Sequence, residues 1–226
     1  MIQGVCSRIG EPRPQIVAAA TDDTIVKLRN FANEVGIQLA LRGDWRLLRK
    51  EKTFTSLAQE IQTSIIPSDW LAWIDGTFWN RNKHQRLWGP ATPQEWQDWK
   101  GSASFPVNDV FYARGSDILL QPTPVAGQTF AFEYISDGWC QSSGAVKQNA
   151  WAADTDTGVL PERLLAMGTI LMWKQDAGED TAWIEGMYER EVHNALGRDS
   201  PRRTISLKQG RPNGPGWTVP EGSWPL

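Results

Sequence analysis

Apolar positions along the chain follow two rhythms, with steps of three and four at both ends and alternation in the middle. Ile2, Val5 and Ile9 share one helical face, and Gly10, Pro12 and Pro14 stop that first turn of helix. Thr21-Asp22-Asp23 is an N-cap cluster that places negative charge at the positive end of a helix. Ile25, Leu28, Ala32, Val35 and Leu39 follow on one face, so the spacing predicts a helix over 22–42, closed by Gly43. The helical rhythm returns at Leu160-Pro161-Glu162 with Leu164, Leu165, Met167, Leu171 and Met172, and Gly178 ends it. Asp180-Thr181 caps a last helix carrying Trp183, Ile184, Met187, Tyr188 and Leu196, stopped by Gly197 and Pro201. Two helices joined by so short a turn are expected to pack antiparallel.

Between these ends the pattern is that of strands. Residues 53–55 and 62–66 read as strands, with Pro67 ending the second. Residues 77–79 and 86–88 read as the arms of a hairpin whose tip is 80–84. Thr92-Pro93-Gln94-Glu95 is a capping box with proline at the first helical position, so a short helix bearing Trp96 and Trp99 begins there and stops at Gly101. Residues 110–114 and 117–121 flank Gly115-Ser116, a second hairpin signal. In 129–135, Phe130, Phe132 and Tyr134 alternate with Ala131 and Glu133.

The expected fold class is therefore α+β. Helices from segments 1–44 and 157–200 form a bundle, 45–156 is an inserted β-rich domain, and 201–226 is an extended C-terminal arm. Prolines 201, 212, 215, 220 and 225, with four glycines among them, exclude helix and central strand from that last segment.

Composition narrows the function. With 226 residues the chain fits one large domain or two small ones. No stretch approaches the roughly 20 apolar residues of a membrane span. No basic n-region precedes an apolar run, so no signal peptide is expected and synthesis is expected in the cytosol. Two Cys and two His exclude a disulfide scaffold and most His- or Cys-based metal centres, and Cys6 and Cys140 are expected reduced and packed. The net charge is −3 but unevenly spread. From Arg198 onward five basic residues face two acidic ones, so a basic tail follows an acidic body.

Candidate catalytic chemistry is sparse. His84 and His193 fall in different blocks and read as surface residues. No nucleophile elbow, phosphate-binding glycine loop or His-Glu-x-x-His helix occurs. Asp154-Thr155-Asp156 has the spacing that starts a calcium loop, but the later glycine and glutamate are missing, which leaves a cap-rich loop. No enzyme activity, cofactor or metal is expected. The outstanding number is 13 Trp against 7 Phe and 3 Tyr. Six of them crowd into residues 70–99, which suggests packing and interface roles, a sugar-stacking platform, or base stacking.

Five segments then carry a resemblance. They are Ile9-Gly10-Glu11-Pro12; Leu41-Arg42-Gly43-Asp44-Trp45; Trp88-Gly89-Pro90 with Pro93-Gln94-Glu95-Trp96; Phe132-Glu133-Tyr134-Ile135-Ser136 followed by Trp139; and Ala153-Asp154-Thr155-Asp156 leading to Leu160-Pro161-Glu162. In this order and spacing, over about residues 5–200, the chain resembles the head-to-tail adaptor (connector) proteins of tailed bacteriophages, of the tail accessory factor or tail tubular type.

The resemblance implies a non-enzymatic virion protein, made in the host cytoplasm, that forms a ring, usually twelvefold, beneath the portal protein. Such a ring extends the DNA channel and gives a tail nozzle or other tail proteins a platform. Genomic double-stranded DNA would pass without sequence-specific binding, a passage that an acidic body suits by repelling phosphate. No membrane is implied. The arm would dock on the portal or a neighbour through Arg202, Arg203, Ile205, Leu207, Lys208, Arg211, Trp217 and Trp224. Trp79, Trp88, Trp96 and Trp99 are the interface candidates of the inserted domain. The competing reading is a Trp-rich carbohydrate-binding module of a tail or secreted protein.

Overall fold

A computed structural model describes residues 1–101 and 109–199. Five helices and eleven strands alternate as α1 (Ile2–Ile9), α2 (Asp23–Leu41), β1 (Arg49–Thr55), β2 (Ile61–Gln62), β3 (Trp70–Trp73), β4 (Trp79–Asn80), β5 (Gln85–Arg86) and α3 (Pro93–Gly101). There follow β6 (Val110–Arg114), β7 (Asp117–Gln121), β8 (Thr129–Ser136), β9 (Cys140–Gln141), β10 (Lys147–Gln148), β11 (Thr157–Gly158), α4 (Glu162–Asp176) and α5 (Ala182–Asp199).

The helix-end chemistry acts as the sequence suggests. Asp22 accepts hydrogen bonds from the Thr24 and Ile25 amides at 2.9 and 3.2 Å, satisfying two donors that the first turn of α2 leaves unpaired. Asp22→Ala should lower stability by about 1 kcal/mol in urea unfolding. At α3 the capping box closes both ways: Glu95 accepts from the Thr92 amide at 2.8 Å, and the Glu95 amide donates to the Thr92 hydroxyl at 3.2 Å.

β8 organises the β region. It pairs antiparallel with β1 along seven residues on one side, and with β4 and β3 on the other. β5 completes this five-stranded sheet through β4. A second sheet runs β2-β7-β6, with Gly115 at φ 61° turning β6 into β7. A third, small sheet runs β10-β9-β11. Phe130, Phe132 and Tyr134 point from β8 into a core with Phe54, Phe78, Leu87, Phe111, Ile118 and Leu120, which joins the first two sheets. The expected strand over 62–66 shortens to Ile61–Gln62, because Ser64 takes φ 54° and its amide turns to Asp117 Oδ1 at 2.8 Å.

The expected self-contained helical bundle is not what forms, and this corrects the fold expectation to a mixed α and β structure with several antiparallel sheets. α1, α2 and α5 all pack on α4. The core this creates does not close among helices. Val35, Leu39, Leu164, Leu165, Tyr188 and Val192 share one cluster with Ile135, Trp139, Cys140 and Leu160. The physical cause is the size of Trp139, fully buried beside Gly36 of α2. An indole at that place fills the space where a further helix face would have to lie. Gly168 lets α4 approach closely: a Cβ there would come within 2.5 Å of Val35 and 3.1 Å of the Tyr188 hydroxyl.

Candidate functional site

Two exposed tryptophan-bearing surfaces and one polar network stand out among the described residues. The first surface lies on the outward side of β4 and β5. Trp79 faces Arg86 across the hairpin, and the Arg86 guanidinium lies 4.5 Å from the Trp88 ring centre. Leu87, between Arg86 and Trp88, points the other way and is buried. Alternation thus puts Trp79, Arg86 and Trp88 on one face, with Trp79 36% and Trp88 53% exposed. Asn80 holds the hairpin tip by accepting from the Asn82 and Lys83 amides at 3.0 and 3.1 Å.

The other two interface candidates sit elsewhere. Trp96 is only 3% exposed, stacks on Tyr112 at 5.5 Å and meets Trp99 edge-on at 6.4 Å. Its expected interface role is corrected to a core role, because the face of α3 that carries it is pressed onto Val110 and Leu119. Trp99 is half-buried beside it. The arm candidates Arg202, Arg203, Ile205, Leu207, Lys208, Arg211, Trp217 and Trp224 lie outside the described residues. The residue from which that segment departs is tethered: Asp199 accepts from the Arg46 amide at 2.6 Å and from Arg46 Nε at 3.3 Å.

The second surface is a groove of about 460 Å³ between α1, α4 and α5, lined by Arg8, Arg163, Met167, Trp183, Ile184 and Met187. Trp183 is 73% exposed, the highest value of any large apolar residue described. In the sequence it is one of the large apolar residues carried by the last helix. Tyr188 and Val192 define the buried stripe of α5, and Trp183 with Met187 forms a second stripe one step round. That excess width over one helical face was the available signal.

The polar network has no local signature in the sequence. Asp69 accepts from Lys50 Nζ at 2.5 Å, Ser136 Oγ at 2.9 Å and the Tyr134 hydroxyl at 3.0 Å. Burial pushes its carboxyl up, but the three hydrogen bonds outweigh burial and hold it below the usual carboxylate range. The Tyr134 hydroxyl is raised in turn, by burial first and by Asp69 second. With every group paired, the network ties the entry of β3 to β1 and β8. A carboxyl depressed in the folded state contributes stability above its unfolded pKa of about 4, lost as pH falls through the folded value. Asp69→Asn should therefore flatten the acid limb of a stability profile measured by urea unfolding from pH 7 to pH 2.

His84 sits at the hairpin tip at φ 52°, and His193 is exposed on α5. No group of three or more His, Cys, Asp or Glu side chains is placed to hold a metal ion among the described residues. The Asp154–Asp156 loop is occupied by the chain itself. Asp154 accepts from the Val17 and Ala18 amides at 3.0 and 2.7 Å, and Asp156 from the Ala152 and Ala153 amides, both at 2.8 Å. Both cysteines are buried and free. Burial pushes the Cys140 thiol up to about 12, against a smaller lowering by the Gln148 side chain. Neither should react with a thiol reagent at neutral pH until the protein unfolds, which a colorimetric thiol assay with and without denaturant checks.

No protein-family model matches the chain, and no curated protein is significantly similar to it.

Proposed function

We propose that this chain is a structural virion protein, a head-to-tail adaptor whose copies form a ring beneath a portal and extend its DNA channel toward the tail. The observation that carries the reading is a pair of unlike, exposed apolar surfaces on the helical layer. One is the α1/α4/α5 groove, with Trp183 and Met187 on its wall and the guanidinium groups of Arg8 and Arg163 in its lining. The other is the outer ridge of α2, where Phe31, Glu34, Ile37 and Leu41 recur at helical spacing. Ile37 is 37% and Leu41 58% exposed.

Arg163 is held within the chain by Glu191 at 3.2 Å, so the complementarity in charge pairs Arg8 of the groove with Glu34 of the ridge. In this reading each surface meets a copy of the other and not of itself. That is a heterologous contact, which closes into a ring when the rotation between subunits divides a full turn. Trp, Met and Arg are the side chains enriched at such interfaces.

In this reading the 201–226 segment attaches the ring to the portal. Many arms on one ring act multivalently. Deleting residues 201–226 should leave the circular dichroism spectrum of the helices unchanged and abolish co-sedimentation with the portal. Normal portal binding by the truncated chain would overturn the role given to the arm.

A further inference from the structure

The outward face of the five-stranded sheet carries a groove that neither the ring contact nor the core uses. Its volume is about 590 Å³, and Glu51, Thr77, Trp79, Arg81, His84 and Glu133 line it. That is within the roughly 300–1,000 Å³ of small-ligand sites. Trp79 forms the apolar part of the wall. It stands opposite Ala131 in the β4–β8 register, so no larger side chain covers the indole from the neighbouring strand.

The polar part breaks a rule of sheet design. Glu51 and Glu133 are register partners on β1 and β8, which puts their Cβ atoms about 5 Å apart on the same face. Like charges directly opposite one another destabilise a sheet. Arg81 pairs with Glu51. The Glu133 carboxylate has no ion-pair or hydrogen-bond partner among the described residues, while its backbone is fixed by Thr77 Oγ, which accepts from the Glu133 amide at 3.1 Å. Local violations of this kind concentrate at functional sites.

The chemistry of the lining restricts the ligand. Two carboxylates bring acceptors, and Arg81 and His84 bring donors. With Arg86 at the rim beside Trp79, the acids and the guanidinium groups balance, so the groove favours neither a strongly cationic nor a strongly anionic ligand. What fits is a neutral molecule with a flat apolar face to lie on the indole and vicinal hydroxyls to donate to the carboxylates. We propose that this groove binds a pyranose unit of a neutral glycan, with Trp79 as the stacking platform and Glu133 as the principal hydroxyl acceptor. The proposal uses none of the residues of the ring contact and stands whether or not the chain forms a ring.

The test is a glycan microarray probed with the full chain, followed by calorimetric titration with the oligosaccharide that gives the strongest spot. Trp79→Ala is expected to weaken binding by at least about tenfold, and Trp79→Tyr to retain most of it, since a smaller aromatic face still stacks. Glu133→Gln keeps an acceptor but loses its charge, and is expected to weaken binding by about threefold. Glu133 is exposed, so this variant folds even if Trp79→Ala does not. No bound glycan on the array would overturn the proposal. So would binding that Trp79→Ala and Glu133→Gln leave unchanged, or binding confined to charged glycans.

Discussion

Trp139→Ala should lower the free energy of unfolding by about 3–5 kcal/mol, the largest single effect expected in this protein. Trp139 is fully buried. Its ring meets Trp151 edge-on at 5.3 Å, and its Nε1 donates to the Asn149 carbonyl at 2.9 Å. Removing the indole leaves a cavity where α2, α4 and the small sheet meet, and it orphans that carbonyl. The same contact is open to a reciprocal test. A Cβ at Gly36 would lie 2.2 to 2.6 Å from three atoms of the indole, which the walls of the core hold in place. Gly36→Ala should therefore cost about 1–3 kcal/mol in overpacking, against up to about 1 kcal/mol gained in helix propensity. In a Trp139→Leu background the Gly36→Ala cost should shrink or change sign, because the two sites share one space. Denaturant titrations of the four proteins measure that coupling directly.

The second large effect concerns assembly. Trp183→Ala removes a 73% exposed side chain, so monomer stability should change by no more than about 0.5 kcal/mol. At an interface, truncating a tryptophan anchor costs about 2 kcal/mol or more, and a ring pays this at every contact. The variant should remain monomeric at concentrations where the parent assembles. Ile37→Ala with Leu41→Ala, on the ridge, should do the same. Mixing the two variants distinguishes this contact from a symmetric one. The ridge of the Trp183→Ala chain and the groove of the ridge variant are both intact. The mixture should form one-to-one dimers that cannot grow, and sedimentation velocity reads that outcome. Separate monomers or full rings in the mixture would contradict the groove-and-ridge contact.

Elements with strong local signals were legible in the sequence. The α2 pattern of Ile25, Leu28, Ala32, Val35 and Leu39 gave a helix whose ends agree within a residue, because the Asp22 cap and the Gly43 stop are local chemistry. The β6–β7 hairpin was legible for the same reason, at Gly115-Ser116. What escaped were features made by distant partners. Trp70–Trp73 is a strand because β8 offers it an edge, although its own residues do not alternate in polarity. Single hydrogen bonds of the Asp69 network span up to 67 positions. The closed bundle failed as an expectation because periodicity shows that a helix has an apolar face but not what covers it. Here Trp139, Cys140 and Leu160 cover it as much as other helices do. Among the tryptophans, count and clustering suggested interfaces, yet only register and burial separate Trp79 and Trp88 on an open face from Trp96 in a core.

The proposal that copies of this chain close into a ring that seats on a portal can be seen or refuted by imaging. Electron microscopy of the purified protein, alone and mixed with a bacteriophage portal protein, is the test. Annular particles with a central channel are expected, stacked coaxially on the portal in the mixture and lost in the Trp183→Ala variant. A protein that stays monomeric at every concentration and leaves the portal bare would contradict it.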